Sequence, residues 1–202
     1  KPLVLQGERG LSRKGPEPGN ASYYYSFTRL EASGRVRVDG VEHPVSGTAW
    51  LDREWSTSAL SAGQVGWDWF ALQLADGRDL MVYRLRREDG STDPLSKGVL
   101  VAADGAGRPL AAGDFGLEVL ERWRSPLDGA VYPSVWRVTV PGEALDLRVT
   151  PVRADQELNV TVRYWEGAVD VTGSGERGAP VTGRGYVELT GYAGAPRGTR
   201  PR

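Results

Sequence analysis

The chain has 202 residues, of which 40 % are hydrophobic and 25 % are charged, and its formal net charge at pH 7 is −1. This composition is typical of a globular protein that can bury a core, and the near-zero charge argues against nucleic acid as a partner. The sequence has no cysteine and a single histidine, His43. Disulfides, thiolate metal sites and cysteine nucleophiles are therefore excluded, and we expect neither a metal nor a cofactor.

The chain order of apolar runs and turn signals predicts an all-β protein. Asp-Gly or Pro-Gly pairs separate runs rich in Val, Leu, Tyr and Trp at positions 39, 76, 89, 104, 128 and 141, which is typical of antiparallel strands joined by tight turns. A strand and a loop fill the first twenty residues. The further predicted strands are 22–30, 35–39, 42–51, 66–74, 80–87, 98–103, 115–123, 134–140, 145–151, 166–172 and 185–192.

This number of short strands, with 27 glycines and 13 prolines, favours an up-and-down antiparallel β-barrel whose interior holds an apolar ligand. A β-sandwich is the alternative architecture. The small polar residues at 56–66 suggest a boundary near residue 60. The residues from 195 to 202 have a composition that predicts a disordered tail.

The segment 49–70 carries the strongest indication of a functional site, because it holds four of the seven tryptophans. Period-two alternation places Trp50, Asp52 and Glu54 on one face of a strand, and Arg53 on the other. After the polar loop, Trp67 and Trp69 again share one face, and Asp68 takes the opposite one. Two strands with aromatic and acidic side chains could therefore flank one pocket.

Five elements of the sequence resemble the AttH-like and carotenoid 1,2-hydratase-like (hydroxyneurosporene synthase) proteins of lipocalin type. They are NASYYYSFTRL at 20–30, VSGTAWLDREWSTS at 45–58, GWDWFALQL at 66–74, the Tyr132-Pro133-x-x-Trp136 element and RYWEGAV at 163–169. The resemblance implies two lipocalin-like barrels in tandem. On this view residues 1–60 are the last strands of an N-terminal barrel, which would be a partner of this chain, and residues 61–194 form a complete C-terminal barrel.

The resemblance also implies a function and a location. Hydratases of the family add water to a terminal isoprenoid double bond, with an Asp as the proposed acid, and Asp52 matches that position with Trp50 at the aromatic place. Tyr23 and Tyr25 match an upstream pair in which the hydratases have a His and an aromatic residue. Bacterial relatives are often labelled predicted secreted hydrolases. The chain is therefore expected to be secreted, periplasmic or membrane-anchored.

The chemistry of these side chains predicts a role for each of them. Burial among tryptophans would raise the pKa of Asp52 and keep its proton available for an alkene, and electron-rich rings would stabilise the resulting carbocation. Glu54 could orient the water. Arg53, on the opposite face, would form a structural ion pair with a carboxylate such as Asp68 or Glu166. The predicted ligand-binding aromatic residues are Tyr23, Tyr25, Trp50, Trp67 and Trp69.

Two alternatives to an enzyme remain open from the sequence. In the first, the chain is a non-catalytic carrier of hydrophobic molecules or a module that associates with a membrane surface, and Asp52 only braces the barrel mouth. In the second, the tryptophan-rich strands form the contact between two barrels and bind no ligand.

Overall fold

The computed structural model describes residues 1–56, 60–160 and 162–193. In these ranges the chain forms fourteen strands and two single 3-10 turns and no α-helix. None of the helical segments there is long and apolar enough to cross a membrane. The all-β prediction is confirmed. The strands are Val4–Leu5 (β1), Leu11–Arg13 (β2), Ala21–Val38 (β3), Val41–Ser56 (β4), Gln64–Leu74 (β5), Asp79–Arg87 (β6), Lys97–Val101 (β7), Gly107–Ala111 (β8), Gly116–Arg124 (β9), Val131–Val140 (β10), Leu145–Pro151 (β11), Glu157–Asn159 (β12), Arg163–Ser174 (β13) and Pro180–Thr190 (β14).

The strands form two antiparallel sheets. In the small sheet, β3 pairs with β1, β2 and β4. The large sheet has the order β8-β7-β6-β5-β14-β13-β11-β10-β9, and β12 pairs with β13. This sheet curls into a half-barrel, and its end strands, β8 and β9, do not pair with each other. The predicted complete barrel is therefore corrected to an open, curled sheet of nine strands.

The turn signals of the sequence all fall between strands. Asp39 and Gly40 both have positive φ, +48° and +82°, and they connect Val38 of β3 directly to Val41 of β4. Such a two-residue turn matches the right-handed twist of the paired strands, and glycine adopts positive φ without steric cost. The predicted strands 22–30 and 35–39 are one continuous strand, β3, because its pairing with β4 continues beyond a bulge near residue 28.

The main hydrophobic core covers one face of the large sheet. It includes Phe70 of β5, Trp136 of β10 and Trp165 of β13, each no more than 1 % exposed. The rings of Phe70 and Trp136 meet edge to face, with their centroids 5.2 Å apart. Close-packed side chains therefore occupy the interior of the half-barrel, where the sequence predicted an apolar ligand.

A second hydrophobic cluster lies on the opposite face of the large sheet. Met81, Tyr83 and Val101 pack there against Val4 and Tyr24 of the small sheet. The small sheet is thus docked on the outside of the half-barrel, and this interface contains the cavity described below. The tail predicted to be disordered, residues 195–202, lies outside the described residues.

Candidate functional site

An open cavity of about 980 Å³ lies between the small sheet and strands β5, β6 and β14 of the large sheet. Alternation along the strands brings the predicted residues to it from both sides. β4 contributes Trp50, Asp52 and Glu54, and β5 contributes Trp67 and Trp69. We call this cavity the intersheet cleft. It lies outside the half-barrel core and contains five of the predicted site residues.

Asp52, which lines the cleft, is held by three hydrogen bonds. Its Oδ1 accepts from Ser26 Oγ at 2.5 Å and from Trp50 Nε1 at 2.8 Å, and its Oδ2 accepts from the Tyr24 hydroxyl at 2.5 Å. Trp69 Nε1 in turn donates to the Tyr24 hydroxyl at 3.2 Å. The carboxyl group is therefore fixed in position and connected to both sheets.

Burial raises the pKa of Asp52 above its ordinary value. The hydrogen bonds from Ser26, Tyr24 and Trp50 act in the opposite direction, because they stabilise the ionised form, and the nearby Glu54 raises the pKa again. Arg53 lies on the other face of β4, where its guanidinium is 5.7 Å from the centre of the Trp55 ring. Because its net pKa is raised, Asp52 stays protonated to a higher pH than an exposed aspartate does.

Glu54 is occupied by other groups of the cleft. One carboxylate oxygen, Oε1, contacts Lys14 Nζ at 2.8 Å and accepts a short hydrogen bond from Ser22 Oγ. Burial lowers the pKa of Lys14, but Tyr83 and Glu54 outweigh it and the net pKa is raised. The Lys14 ammonium also lies 4.1 Å from the centre of the Tyr83 ring. Sequence analysis did not identify Lys14, which follows β2 and is distant in sequence from the tryptophan-rich segment.

The structure does not place Tyr23 and Tyr25 in the cleft. Both rings contact Trp55, with centroid distances of 5.6 and 6.2 Å, on the opposite face of the small sheet. Tyr24 faces the cleft instead, because it lies directly opposite Glu54 in the β3–β4 register. The predicted tyrosines are thus off by one residue, which in a strand means the wrong face.

The predicted ion pair between Arg53 and Asp68 is not formed. Asp68 points from β5 toward the half-barrel, where its side chain is 0 % exposed and contacts Arg84 Nη2 at 2.7 Å and Arg86 Nε at 3.2 Å. The Tyr192 hydroxyl donates a further hydrogen bond to it at 2.8 Å. Asp68 is therefore paired with Arg84 and Arg86 of the adjacent strand instead of with Arg53.

A further carboxylate, Glu188 of β14, lines the cleft and was not found from the sequence. Its Oε1 accepts a hydrogen bond from Trp67 Nε1 at 2.6 Å. Glu188 is more than 130 residues from Asp52, and only the pairing of β14 with β5 brings it to the site. No local motif in the sequence indicates this contact. Among the described residues, no group of three His, Cys, Asp or Glu side chains could hold a metal ion.

Comparison with known proteins identifies the family. The model of the AttH-like family matches residues 1–192. The chain belongs to the AttH-like family. No curated protein matches the chain. A crystal structure of a protein described as an AttH, from Nitrosomonas europaea, has 42 % sequence identity and a TM-score of 0.84, and the match covers 96 % of this chain and 59 % of that one.

Two more distant solved structures share the fold. Kievitone hydratase from Nectria haematococca is 20 % identical with a TM-score of 0.73, over 93 % of this chain and 57 % of that one. CghA is 16 % identical with a TM-score of 0.56, over 95 % of this chain and 58 % of that one. The chain therefore spans somewhat less than three fifths of the length of each of these solved structures.

Proposed function

We propose that the intersheet cleft binds an extended hydrophobic molecule of isoprenoid or polyene type and that Asp52 catalyses hydration of one of its carbon–carbon double bonds. The observation that carries the proposal is the position of Asp52, a partly buried carboxyl group with a raised pKa in a cleft lined by Trp50, Trp67 and Trp69. Kievitone hydratase, which shares the fold, is named as a hydratase.

The cleft suits such a ligand in size and surface. Its volume of about 980 Å³ lies near the upper end of the range of roughly 300 to 1,000 Å³ for small-molecule pockets. Three indole rings give an apolar surface. All three indole nitrogens are already engaged, with Trp50 Nε1 on Asp52, Trp67 Nε1 on Glu188 and Trp69 Nε1 on the Tyr24 hydroxyl, so the ring faces remain for an apolar ligand.

The proposed reaction begins with transfer of the Asp52 proton to one alkene carbon, which leaves a carbocation on the more substituted carbon. The faces of the cleft tryptophans stabilise this cation by about 0.5 to 2 kcal/mol per ring, depending on desolvation. Water then adds through its oxygen to the cation and loses one proton. The product is a tertiary alcohol, and Asp52 regains a proton from solvent. Tyr24, which shares a hydrogen bond with Asp52, connects the acid to Trp69.

A non-catalytic carrier is the second candidate function, and one observation favours it. Three donors converge on the Asp52 carboxyl, as is common for a structural carboxylate that braces two sheets. In this case the tryptophans still bind the hydrophobic ligand, and association with a membrane surface would deliver it.

We also propose that an N-terminal lipocalin-like domain is the partner of the small sheet, whose strand β3 is exposed from residue 31 onward.

The test is incubation of the complete protein with an acyclic carotenoid in ¹⁸O-labelled water, followed by mass spectrometry of the products. Asp52→Asn removes the acidic proton, and Asp146→Asn is the matched control, because Asp146 is an exposed carboxylate paired with Arg137 on β10. We expect labelled alcohol from the wild type and the control, and a rate lower by about 10² to 10⁴ in Asp52→Asn, the usual contribution of a general acid.

Three other outcomes would change the assignment. Carotenoid that is bound but chemically unchanged by all three proteins would favour the carrier. Product formed equally by Asp52→Asn would leave hydration in place and remove Asp52 as its acid. A pigment that does not bind would contradict both functions for polyenes.

A further inference from the structure

Glu188 is the cleft carboxylate that the proposed reaction has not used. It lies on the wall opposite β4, and its neighbours in the sheet are Trp69 of β5 on one side and Glu166 of β13 on the other. Its hydrogen bond from Trp67 Nε1 fixes one carboxyl oxygen. Asp52 and Glu188 are therefore presented to the same cavity from two different sheets.

The surroundings of Glu188 are mainly acidic. Burial raises its pKa, the hydrogen bond from Trp67 lowers it, and the charges of Glu166, Glu54 and Asp52 raise it. Burial also raises the pKa of Glu166. The titratable or charged side chains near Glu188 are Asp52 and Glu54 from β4, Tyr164 and Glu166 from β13, and Arg184 and Tyr186 on β14 itself.

The direct opposition of Glu166 and Glu188 has a consequence for their protonation. Glu166 and Glu188 are directly paired residues on neighbouring strands, and each favours the protonated form of the other, because double ionisation would place two like charges side by side. The ion pair that Arg184 forms is with Asp170 of β13, from which its Nε lies 3.6 Å. The ionised Glu188 carboxylate therefore takes up a proton more readily than an isolated carboxylate does.

Hydration requires such an acceptor. Once the alkene has been protonated, the attacking water must lose a proton, and Asp52 is then the conjugate base on the other wall. Glu54 is less suited to this role, because its carboxylate forms an ion pair with the Lys14 ammonium at 2.8 Å, and that positive charge makes it a weaker base. Glu188 forms no ion pair with a lysine or arginine among the described residues, and its Oε1 accepts a neutral donor, Trp67 Nε1.

We propose that Glu188, supported by Glu166, takes the proton from the water that attacks the ligand carbocation, so that acid and base lie on opposite sheets of the cleft. This inference rests on the proposed hydration. In the step, the water oxygen forms a bond to the cationic carbon, one O–H bond breaks, and its proton moves to the Glu188 carboxylate. The proton later passes to solvent, and Asp52 is reprotonated, which balances the cycle.

The first test is Glu188→Gln, in which the amide oxygen can still accept the hydrogen bond from Trp67. Glu118→Gln is the matched control, because Glu118 is an exposed carboxylate on β9, far from the cleft, and pairs with Arg137 at 3.7 Å. We expect Glu188→Gln to lower kcat by about 10² or more with little change in KM, and to remove the acidic limb of the pH–rate profile. Glu166→Gln should shift that limb and retain more activity. Wild-type kcat in Glu188→Gln would overturn the proposal.

A binding measurement separates this proposal from the proposed hydration. A protonated N,N-dimethyldodecylamine carries a positive charge where the carbocation would form, and dodecanol is its neutral counterpart. We expect the amine to bind the wild type more tightly than the alcohol, and Glu188→Gln to weaken amine binding on the order of tenfold, or about 1.4 kcal/mol, with unchanged affinity for the alcohol. If no alkene yields a hydrated product, the proposed hydration is contradicted. A loss of the preference for the amine in Glu188→Gln would in that case still support Glu188 as the carboxylate that interacts with positive charge on the ligand. If the wild type and Glu188→Gln bind the amine with the same affinity, the proposed role of Glu188 is overturned.

Discussion

Substitution of Asp68 by Asn should strongly destabilise the half-barrel. The Asp68 side chain is 0 % exposed and binds Arg84 and Arg86, whose side chains are only 19 % and 14 % exposed. Arg84 donates from both Nε, at 2.9 Å, and Nη2, at 2.7 Å. Asn keeps the shape but loses the negative charge, and two largely buried guanidinium groups then have no counter-ion from this residue.

Removing one partner of a buried ion pair costs about 3 to 5 kcal/mol. Because both arginines retain some contact with water, we expect a loss near the lower limit, about 3 kcal/mol. Total stabilities of roughly 5 to 15 kcal/mol are usual, so the loss is a large part of the whole. The assay is urea unfolding followed by tryptophan fluorescence, with the thermal midpoint as a second readout, expected to fall by about 6 to 12 °C for a chain of this size.

The control is Asp146→Asn, which breaks an exposed ion pair with Arg137, in which both side chains are about half exposed. Exposed pairs contribute about 0 to 1 kcal/mol, so this variant should remain close to the wild type. A loss below about 1 kcal/mol in Asp68→Asn, or equal losses in the two variants, would refute the view that Asp68 holds the interior of the half-barrel together by charge.

Three further predictions concern the cleft and its walls. Tyr24→Phe removes a hydrogen bond that lowers the pKa of Asp52, so that pKa should rise further in a ¹³C carboxyl NMR titration, and a decrease would contradict the assigned contact. Burial raises the pKa of Asp52 and Glu188 in the folded protein, so at these groups the folded state binds more protons than the unfolded state. The free energy of unfolding should therefore fall as pH rises from about 4 through the raised pKa values. Asp52→Asn should make this decrease with pH smaller. Gly185→Ala would place a Cβ 2.3 Å from the carbonyl oxygen of Ala71, so β14 must move away from β5, which should lower the free energy of unfolding by about 1 to 3 kcal/mol. Unchanged stability in chemical denaturation would show that the two strands do not approach this closely.

The sequence predicts the faces of β4 and β5 because side-chain alternation is a local property of a strand. Trp50, Asp52 and Glu54 share a face, and Trp67 and Trp69 share another, as their spacing indicates. The same rule does not decide which face of a neighbouring strand meets them. Three consecutive tyrosines at 23–25 give no parity signal of their own, and only the β3–β4 register selects Tyr24.

Long-range partners account for the other differences between sequence and structure. Arg84 and Arg86, which neutralise Asp68, follow it by 16 and 18 residues on the adjacent strand, whereas Arg53 belongs to the other sheet. The half-barrel core is filled by Phe70 and Trp136, so the apolar space predicted within a barrel is occupied. The cleft results from docking of the two sheets, a packing event that strand patterns do not describe.

The protonation of Asp52 tests the central claim most directly, because it needs no substrate. We would label the aspartate carboxyl carbons with ¹³C, follow their chemical shifts from acidic to alkaline pH, and assign Asp52 by comparison with Asp52→Asn. The account predicts that Asp52 titrates above the range of exposed aspartates, as its burial requires. An Asp52 that titrates at or below that range would be an ionised structural carboxylate at neutral pH, and the proposed acid catalysis would be contradicted.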